Sequence, residues 1–281
     1  MSDLLHQFSF DGTDVRGEMV QLEAAFQDVV ERHNYPSIVA NALGELMAAT
    51  ALLSANLKFA GRLTLQIRLS GSIRILQAET NEQGQLRAIA RFDDSLEQED
   101  LNFVDGQLVI TIEPEQGQKY QGITAINGGN IAAALEEYFA QSEQLPTHFW
   151  LVTQGQQAAG FMLQKVPAAA GTEVDADAWE RLNHLANTLK DDELLSLPAE
   201  TLLHRLYHEE KTRVYPATPL SFSCTCSKDR FASALKQLGY EELDSILHEA
   251  GRIDVNCDFC NQPYKFERAE IDDLFPERRL Q

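Results

Sequence analysis

Four cysteines constrain this chain more than any other feature. They fall at Cys224, Cys226, Cys257 and Cys260, in the pattern C-x-C, thirty residues, C-x2-C, with none elsewhere among the 281 residues. Zinc asks for four soft ligands at tetrahedral corners, and two closely spaced pairs held by a turn and a loop supply them. The alternative of four ordinary buried cysteines leaves the pairing unexplained. An iron–sulfur cluster also takes four cysteines and is the weaker competitor. Four thiolates leave no open coordination position, so zinc of the hydrolase type is excluded and an enzyme is not expected.

The ion's first task here is folding. A piece as short as residues 221–281 rarely draws more than ~3–5 kcal/mol from its own core, whereas a structural zinc contributes on the order of 10–16 kcal/mol at neutral pH. The metal dominates that comparison. Metal-bound sulfur is already deprotonated and remains a nucleophile toward peroxide or hypochlorous acid. Oxidation of the pairs would therefore remove the ligands, and the folding free energy with them.

The remaining sequence limits the setting. Twenty-three Lys and Arg against 43 Asp and Glu give a formal net charge of -20. That balance opposes nucleic-acid binding, which draws on cationic side chains and counterion release, and disfavours an anionic membrane surface. The opening MSDLLHQFSF has no basic region leading into an apolar run, so no secretory signal is expected. The apolar segment Ile38 to Leu57 carries Glu45 and Asn56 and reads as a buried helix rather than a membrane span. A cytoplasmic protein follows, in a compartment where stable disulfides are rare.

The expected fold class is α+β in three parts. Residues 1–171 read as a mixed sheet-and-helix core domain. Its signals include a hairpin turn at Asp11-Gly12-Thr13, a long helix opening at Pro36, and the period-two alternation Leu63, Leu65, Ile67, Leu69. Strands are also expected at 73–80, 86–92, 107–113, 120–125, 148–153 and 158–166, with helices over 22–32 and 131–142. Residues 172–220 read as a helical, metastable linker: Trp179, Leu182, Leu185, Ala186 and Leu189 make one narrow apolar stripe, and Leu202, Leu203 and Leu206 another after Pro198. Tyr215 to Pro219 reads as an extended link. Residues 221–281 form the zinc-binding domain, with Ser227 capping a helix to Leu238, a second helix over 241–250, and a hairpin around the C-x2-C pair.

Other clusters have plainer readings. Gly128-Gly129-Asn130 lacks the lysine of a phosphate loop and reads as a turn with Asn130 as helix cap. His184, His204 and His208 read as solvated helix surface. Glu136-Glu137 and Asp93-Asp94 are neighbours that point apart.

The cysteine pattern resembles that of the heat-shock protein 33 family of redox-regulated holdase chaperones. The similarity extends to Gly44-Glu45-Leu46-Met47-Ala48-Ala49, Tyr120-Gln121-Gly122-Ile123, Tyr138 to Thr147 and Ala159-Gly160-Phe161-Met162-Leu163-Gln164, and so covers essentially the whole chain. The resemblance implies that Cys224, Cys226, Cys257 and Cys260 hold one zinc in a reduced, inactive state. It implies that oxidation forms the disulfides Cys224–Cys226 and Cys257–Cys260, which the closeness of each pair also suggests. Zinc release, unfolding of the linker, homodimerisation and ATP-independent holding of unfolded client proteins are implied to follow. A thiol–disulfide oxidoreductase using Cys257-x-x-Cys260 is the competing reading. It leaves the other pair unexplained and lacks the strand–helix junction of a thioredoxin-like unit.

Overall fold

The structure, a computed structural model, describes residues 3–55, 60–93, 96, 103–127, 129–168 and 175–276. The chain divides into two compact units, Met1–Ser223 and Cys224–Gln281.

The first unit opens with the hairpin β1 (Leu4–Phe10) and β2 (Val15–Leu22), in which Ser9 pairs with Arg16 across the expected turn. Helix α1 (Ala24–Glu31) follows, shorter than expected. Its free N-terminal amides are met by a residue from far along the chain: the Asp3 carboxylate accepts from the amides of Glu23, Ala24 and Ala25, each at 3.0 Å, where a negative charge suits the helix dipole. Helix α2 (Ser37–Ser54) begins just after Pro36 and buries apolar residues around most of its circumference, with Asn41 exposed and Glu45 half-buried, as a largely covered core helix does. It alone among the described residues is long and apolar enough to cross a membrane, yet 67% of it is buried in the fold. Asn56, Leu57 and Lys58 lie outside the described residues.

Strands β3 (Gly61–Arg68), β4 (Ile73–Asn81), β5 (Gln85–Phe92), β6 (Gly106–Pro114) and β7 (Tyr120–Ile126) come next, then α3 (Ile131–Tyr138), which runs into a single π-helical turn, Phe139–Glu143. The hairpin β8 (Thr147–Gln154) and β9 (Gln157–Lys165) closes this stretch. Beyond it lie α4 (Ala178–Ala186), α5 (Asp191–Ser196), α6 (Ala199–Tyr207) and three very short strands, β10 (Thr212–Val214), β11 (Thr218–Pro219) and β12 (Ser221–Phe222).

Two six-stranded sheets result. One has the order β10-β1-β2-β9-β8 with β11 also on β1; the other runs β12-β5-β4-β3-β6-β7. All pairings are antiparallel except that of β12 with β5. Helix α2 lies between the sheets and packs on both, forming the main core with Leu43, Leu46, Met47 and Leu52 fully buried. Close approach requires Gly44, where a Cβ would stand 2.5 Å from Thr153 Oγ1.

A second core lies on the other face of the first sheet. Phe8, Phe10, Met19 and Phe161 of the sheet meet Leu182, Leu194, Leu202, Leu203, Leu206 and Tyr207 of α4–α6. Alternation along β2 makes this possible: Val15 and Met19 join this core, while Val20 and Leu22 join the main one. Residues 175–220 are thus part of the first compact unit in this structure, and the linker boundary expected at 171/172 lies outside the described residues. The extended link expected around Tyr215 to Pro219 carries strands: Thr212 to Val214 and Thr218–Pro219 pair with β1, and Ser221–Phe222 with β5. The side chain of Gln21 ties the helices down, its Nε2 donating to the carbonyls of Leu194 at 2.8 Å and Leu197 at 2.9 Å at the end of α5.

The second unit holds α7 (Lys228–Leu238), α8 (Tyr240–Ala250), the hairpin β13 (Ile253–Asn256) and β14 (Pro263–Phe266), and α9 (Arg268–Asp273). Its buried apolar core is small: Leu235, Leu243, Leu247, Ile253, Phe266 and Ile271.

A candidate four-thiol metal centre

The two cysteine pairs are placed by different local devices. Cys224 and Cys226 stand on the extended segment before α7. Ser227 caps that helix as expected, its Oγ accepting from Arg230 N at 3.2 Å. Arg230 then reaches back, its Nη1 donating to the carbonyl of Thr225 at 2.8 Å and to its hydroxyl at 2.7 Å. The residue between the two sulfurs is thereby held. Cys257 and Cys260 occupy the turn between β13 and β14. Asn261 N donates to Cys257 O at 2.8 Å, and Cys257 N to Gln262 O at 3.0 Å. Asn261 takes the left-handed φ of 55° that closes this turn, a conformation asparagine tolerates well.

The four Sγ atoms lie within 4.8 Å of one another. Cys224 stands 3.6 Å from Cys257 and Cys226 stands 3.3 Å from Cys260. A tetrahedron built on zinc–sulfur bonds of about 2.3 Å has edges of about 3.8 Å, so the cluster has the size and donor chemistry to hold a metal ion, and is consistent with zinc. Cys257 and Cys260 are buried; Cys224 and Cys226 are half-buried.

The sulfurs are not electrostatically alike. Burial pushes the Cys226 thiol up, but hydrogen bonds from the Tyr264 hydroxyl and the neighbouring cysteines outweigh it and bring it down to about 7. Burial pushes Cys260 well up, only partly offset by the Gln262 backbone N–H. Burial likewise raises Cys224, against a backbone hydrogen bond from Cys226.

The secondary features resolve simply. His184, His204 and His208 are exposed, and among the described residues the four cysteines are the one group of three or more His, Cys, Asp or Glu whose ligand atoms converge. Asn130 caps α3, accepting from Ala133 N at 3.0 Å. Glu136 accepts from Phe149 N while Glu137 accepts from Asn127 and Gln141, so the two carboxylates point apart. Asp93 pairs with Arg74 at 2.9 Å; Asp94 and Gly128 lie outside the described residues. Sequence reading missed Tyr264, whose hydroxyl stands 3.2 Å from Cys226 Sγ. Its place next to Cys226 arises from the pairing of Tyr264 with Val255, which brings it level with the C-x-C arm. The nearest sequence signal was an aromatic residue four positions beyond the last cysteine.

Fold and site together define a two-unit protein whose small C-terminal unit is built around a four-cysteine cluster able to hold a metal ion. The family described as Hsp33 protein matches residues 3–267. The chain is 45% identical over 277 residues to a 33 kDa chaperonin of Shewanella woodyi, covering 97% of this chain and 96% of the relative. It is 46% identical over 282 residues to one of Hahella chejuensis, covering 99% of each. The crystal structure of the 33 kDa chaperonin (heat shock protein 33 homolog) of Thermotoga maritima shares the fold, with a TM-score of 0.84 at 21% identity, 99% of this chain and 100% of that one being covered. This chain belongs to the Hsp33 family. It is accordingly a chaperone and not an enzyme, and family membership implies client proteins as partners.

Proposed function

We propose that this chain is a cytoplasmic, ATP-independent holdase whose activity is switched on by oxidation of the four-cysteine centre. The observation that carries the reading is the convergence of four sulfurs from two arms within 4.8 Å, in a unit with little apolar core of its own. Cys224, Cys226, Cys257 and Cys260 would hold one zinc in the reduced protein. When bound, the ion supplies a structural cross-link between the C-x-C arm and the hairpin.

The chain's own chemistry is a pair of thiol oxidations. One thiolate attacks a peroxide oxygen, the O–O bond breaks, hydroxide leaves and a sulfenic acid forms. The neighbouring thiolate then attacks that sulfur and expels a second hydroxide, forming a disulfide. Two peroxides per chain give Cys224–Cys226 and Cys257–Cys260, and both hydroxides from each are protonated to water. Each disulfide removes two of the four ligands, and the small unit loses its main support.

Loss of order then has a covalent path into residues 172–220. Ser223 N donates to Leu86 O at 2.9 Å, and the next residue is Cys224. Helices α4, α5 and α6 have 9, 6 and 9 residues, short of the ~12–15 that an isolated helix needs, so they depend on their seat on the sheet. Released, they would offer apolar side chains to unfolded clients, and the oxidised chain would form a homodimer. An oxidoreductase working through Cys257-x-x-Cys260 finds less support, because that pair sits in a hairpin turn rather than at a helix N-terminus that would activate a thiolate.

The test is zinc content before and after peroxide with mild heat, run beside light scattering of a denaturing client. One zinc per reduced chain, lost as scattering is suppressed, is the expected result. Retained zinc with unchanged client aggregation would overturn it.

A further inference from the structure

We infer that Tyr264 sets the oxidation rate and order of the four-thiol centre through the hydrogen bond its hydroxyl donates to Cys226 Sγ at 3.2 Å. The inference rests on the zinc-holding role proposed for the cysteines and concerns a residue outside the ligand set.

Three of the sulfurs receive hydrogen bonds of two kinds. Cys224 is met by the backbone N–H of Cys226 and Cys260 by that of Gln262, both fixed by the local turns. Cys226 is met by the Tyr264 hydroxyl beside the neighbouring cysteine sulfurs, and that hydroxyl, a donor outside the four cysteines, can be removed by a single substitution. Tyr264 belongs to β14, next to the C-x2-C turn, whereas Cys226 belongs to the other arm. The hydroxyl therefore ties the arms together by a contact separate from the metal. Its ring is held against Phe231 of α7, with centroids 4.9 Å apart, which fixes the direction from which the O–H approaches the sulfur.

A hydrogen bond to a thiolate draws negative charge off the sulfur and occupies a lone pair that would otherwise attack an electrophile. Partners of metal ligands at this remove change affinity or activity about 10- to 100-fold when lost. Cys226 is half-buried rather than buried, so peroxide can reach it, and the Tyr264 hydroxyl is the group that restrains it. Once Cys226 is in a disulfide its sulfur becomes a poor acceptor, the hydrogen bond lapses, and the arms lose this tie as well.

The experiment uses the full-length reduced chain and its Tyr264→Phe variant, which keeps the ring on Phe231 and removes only the hydroxyl. Zinc release under excess peroxide is followed with a chromogenic chelator, and thiols surviving at partial oxidation are mapped by alkylation and mass spectrometry. The variant should start with one zinc, release it on the order of tenfold faster, and lose the Cys224 and Cys226 thiols earlier relative to Cys257 and Cys260 than the native chain does. A Phe231→Leu chain, which loosens the ring's seat, should shift rate and order the same way but less. Native rate and order in both variants would overturn the role of Tyr264 and leave the zinc reading standing. Faster release with the native oxidation order would also overturn it, since that is what mere loosening of the fold produces. A native chain that purifies reduced, folded and free of zinc would overturn both.

Discussion

Glu45 gives the first unit a pH dependence that can be worked through. Its carboxyl lines a cavity of about 250 Å3 with Asn130, Trp150, Lys190 and Asp191, between α2, the first sheet and the start of α5. Burial, and then the Asp191 carboxylate, push Glu45 from its ordinary 4.5 up to about 7. Between those values the folded chain binds a proton that the unfolded chain has released, so stability falls as pH rises through that window and is fully present below it. A shift of about 2.5 units at about 1.4 kcal/mol each is roughly 3 kcal/mol. Glu45→Gln mimics the protonated carboxyl without titrating. It should therefore be more stable than the native chain by roughly 3 kcal/mol at pH 8, and by about 1 kcal/mol or less at pH 5. Urea unfolding followed by tryptophan emission measures this directly, because Trp150 and Trp179 both belong to the first unit. Groups that do not face Glu45 titrate alike in both chains and cancel in the difference. A stability gap that stays constant from pH 5 to pH 8 would refute the reasoning, as would no gap at all.

Two further substitutions probe how the first unit is held. Gln21→Ala removes both hydrogen bonds to the α5 carbonyls and should loosen α4–α6 by roughly 1–3 kcal/mol. Earlier exchange of α5 and α6 amides, with α2 unchanged, checks this by hydrogen–deuterium exchange mass spectrometry. Gly44→Ala forces a methyl group to within 2.5 Å of Thr153 Oγ1 and should lower the urea midpoint of the first unit, by about 1–3 kcal/mol in stability. An unchanged midpoint would show that Thr153 can move aside.

What was legible in the sequence follows from how local each signal is. The hairpins, the long helix α2 and the strand β3 carry their own period and turn residues, and they form where those residues place them. The four cysteines were legible as a cluster because two short chelate loops carry all of them. Helix α5 was not singled out, since Asp191-Asp192-Glu193 falls between the two expected apolar stripes and belongs to neither; in the structure these acids form its first turn, where the dipole favours them. Strands β10–β12 have 3, 2 and 2 residues and two nearby prolines. Nothing in 212–222 specifies a strand; the free edges of β1 and β5 do. Helix α3 was expected to reach Ser142, but its last turn widens into a π-turn after Tyr138. Tyr264 escaped for the same reason as the strands: its neighbour is set by register, not by spacing.

The division between the two cores of the first unit decides what an activated form can expose. Among the described residues the main core closes around α2 between the sheets and takes no buried apolar side chain from α4–α6, whereas the second core is completed by them. The two share only the first sheet, on opposite faces. Removing α4–α6 would therefore uncover Phe8, Phe10, Met19 and Phe161 on one side while leaving α2 and its leucines covered. An apolar sheet face and a freed chain bearing Leu182, Leu202, Leu203 and Leu206 would appear together, within a unit still held by its own core. On the proposed reading, this is what lets the protein expose client-binding surface without unfolding itself. Amide exchange bears on it: after peroxide, protection should vanish from 178–207 and persist over 39–53. Parallel loss in both segments would mean that the cores do not separate.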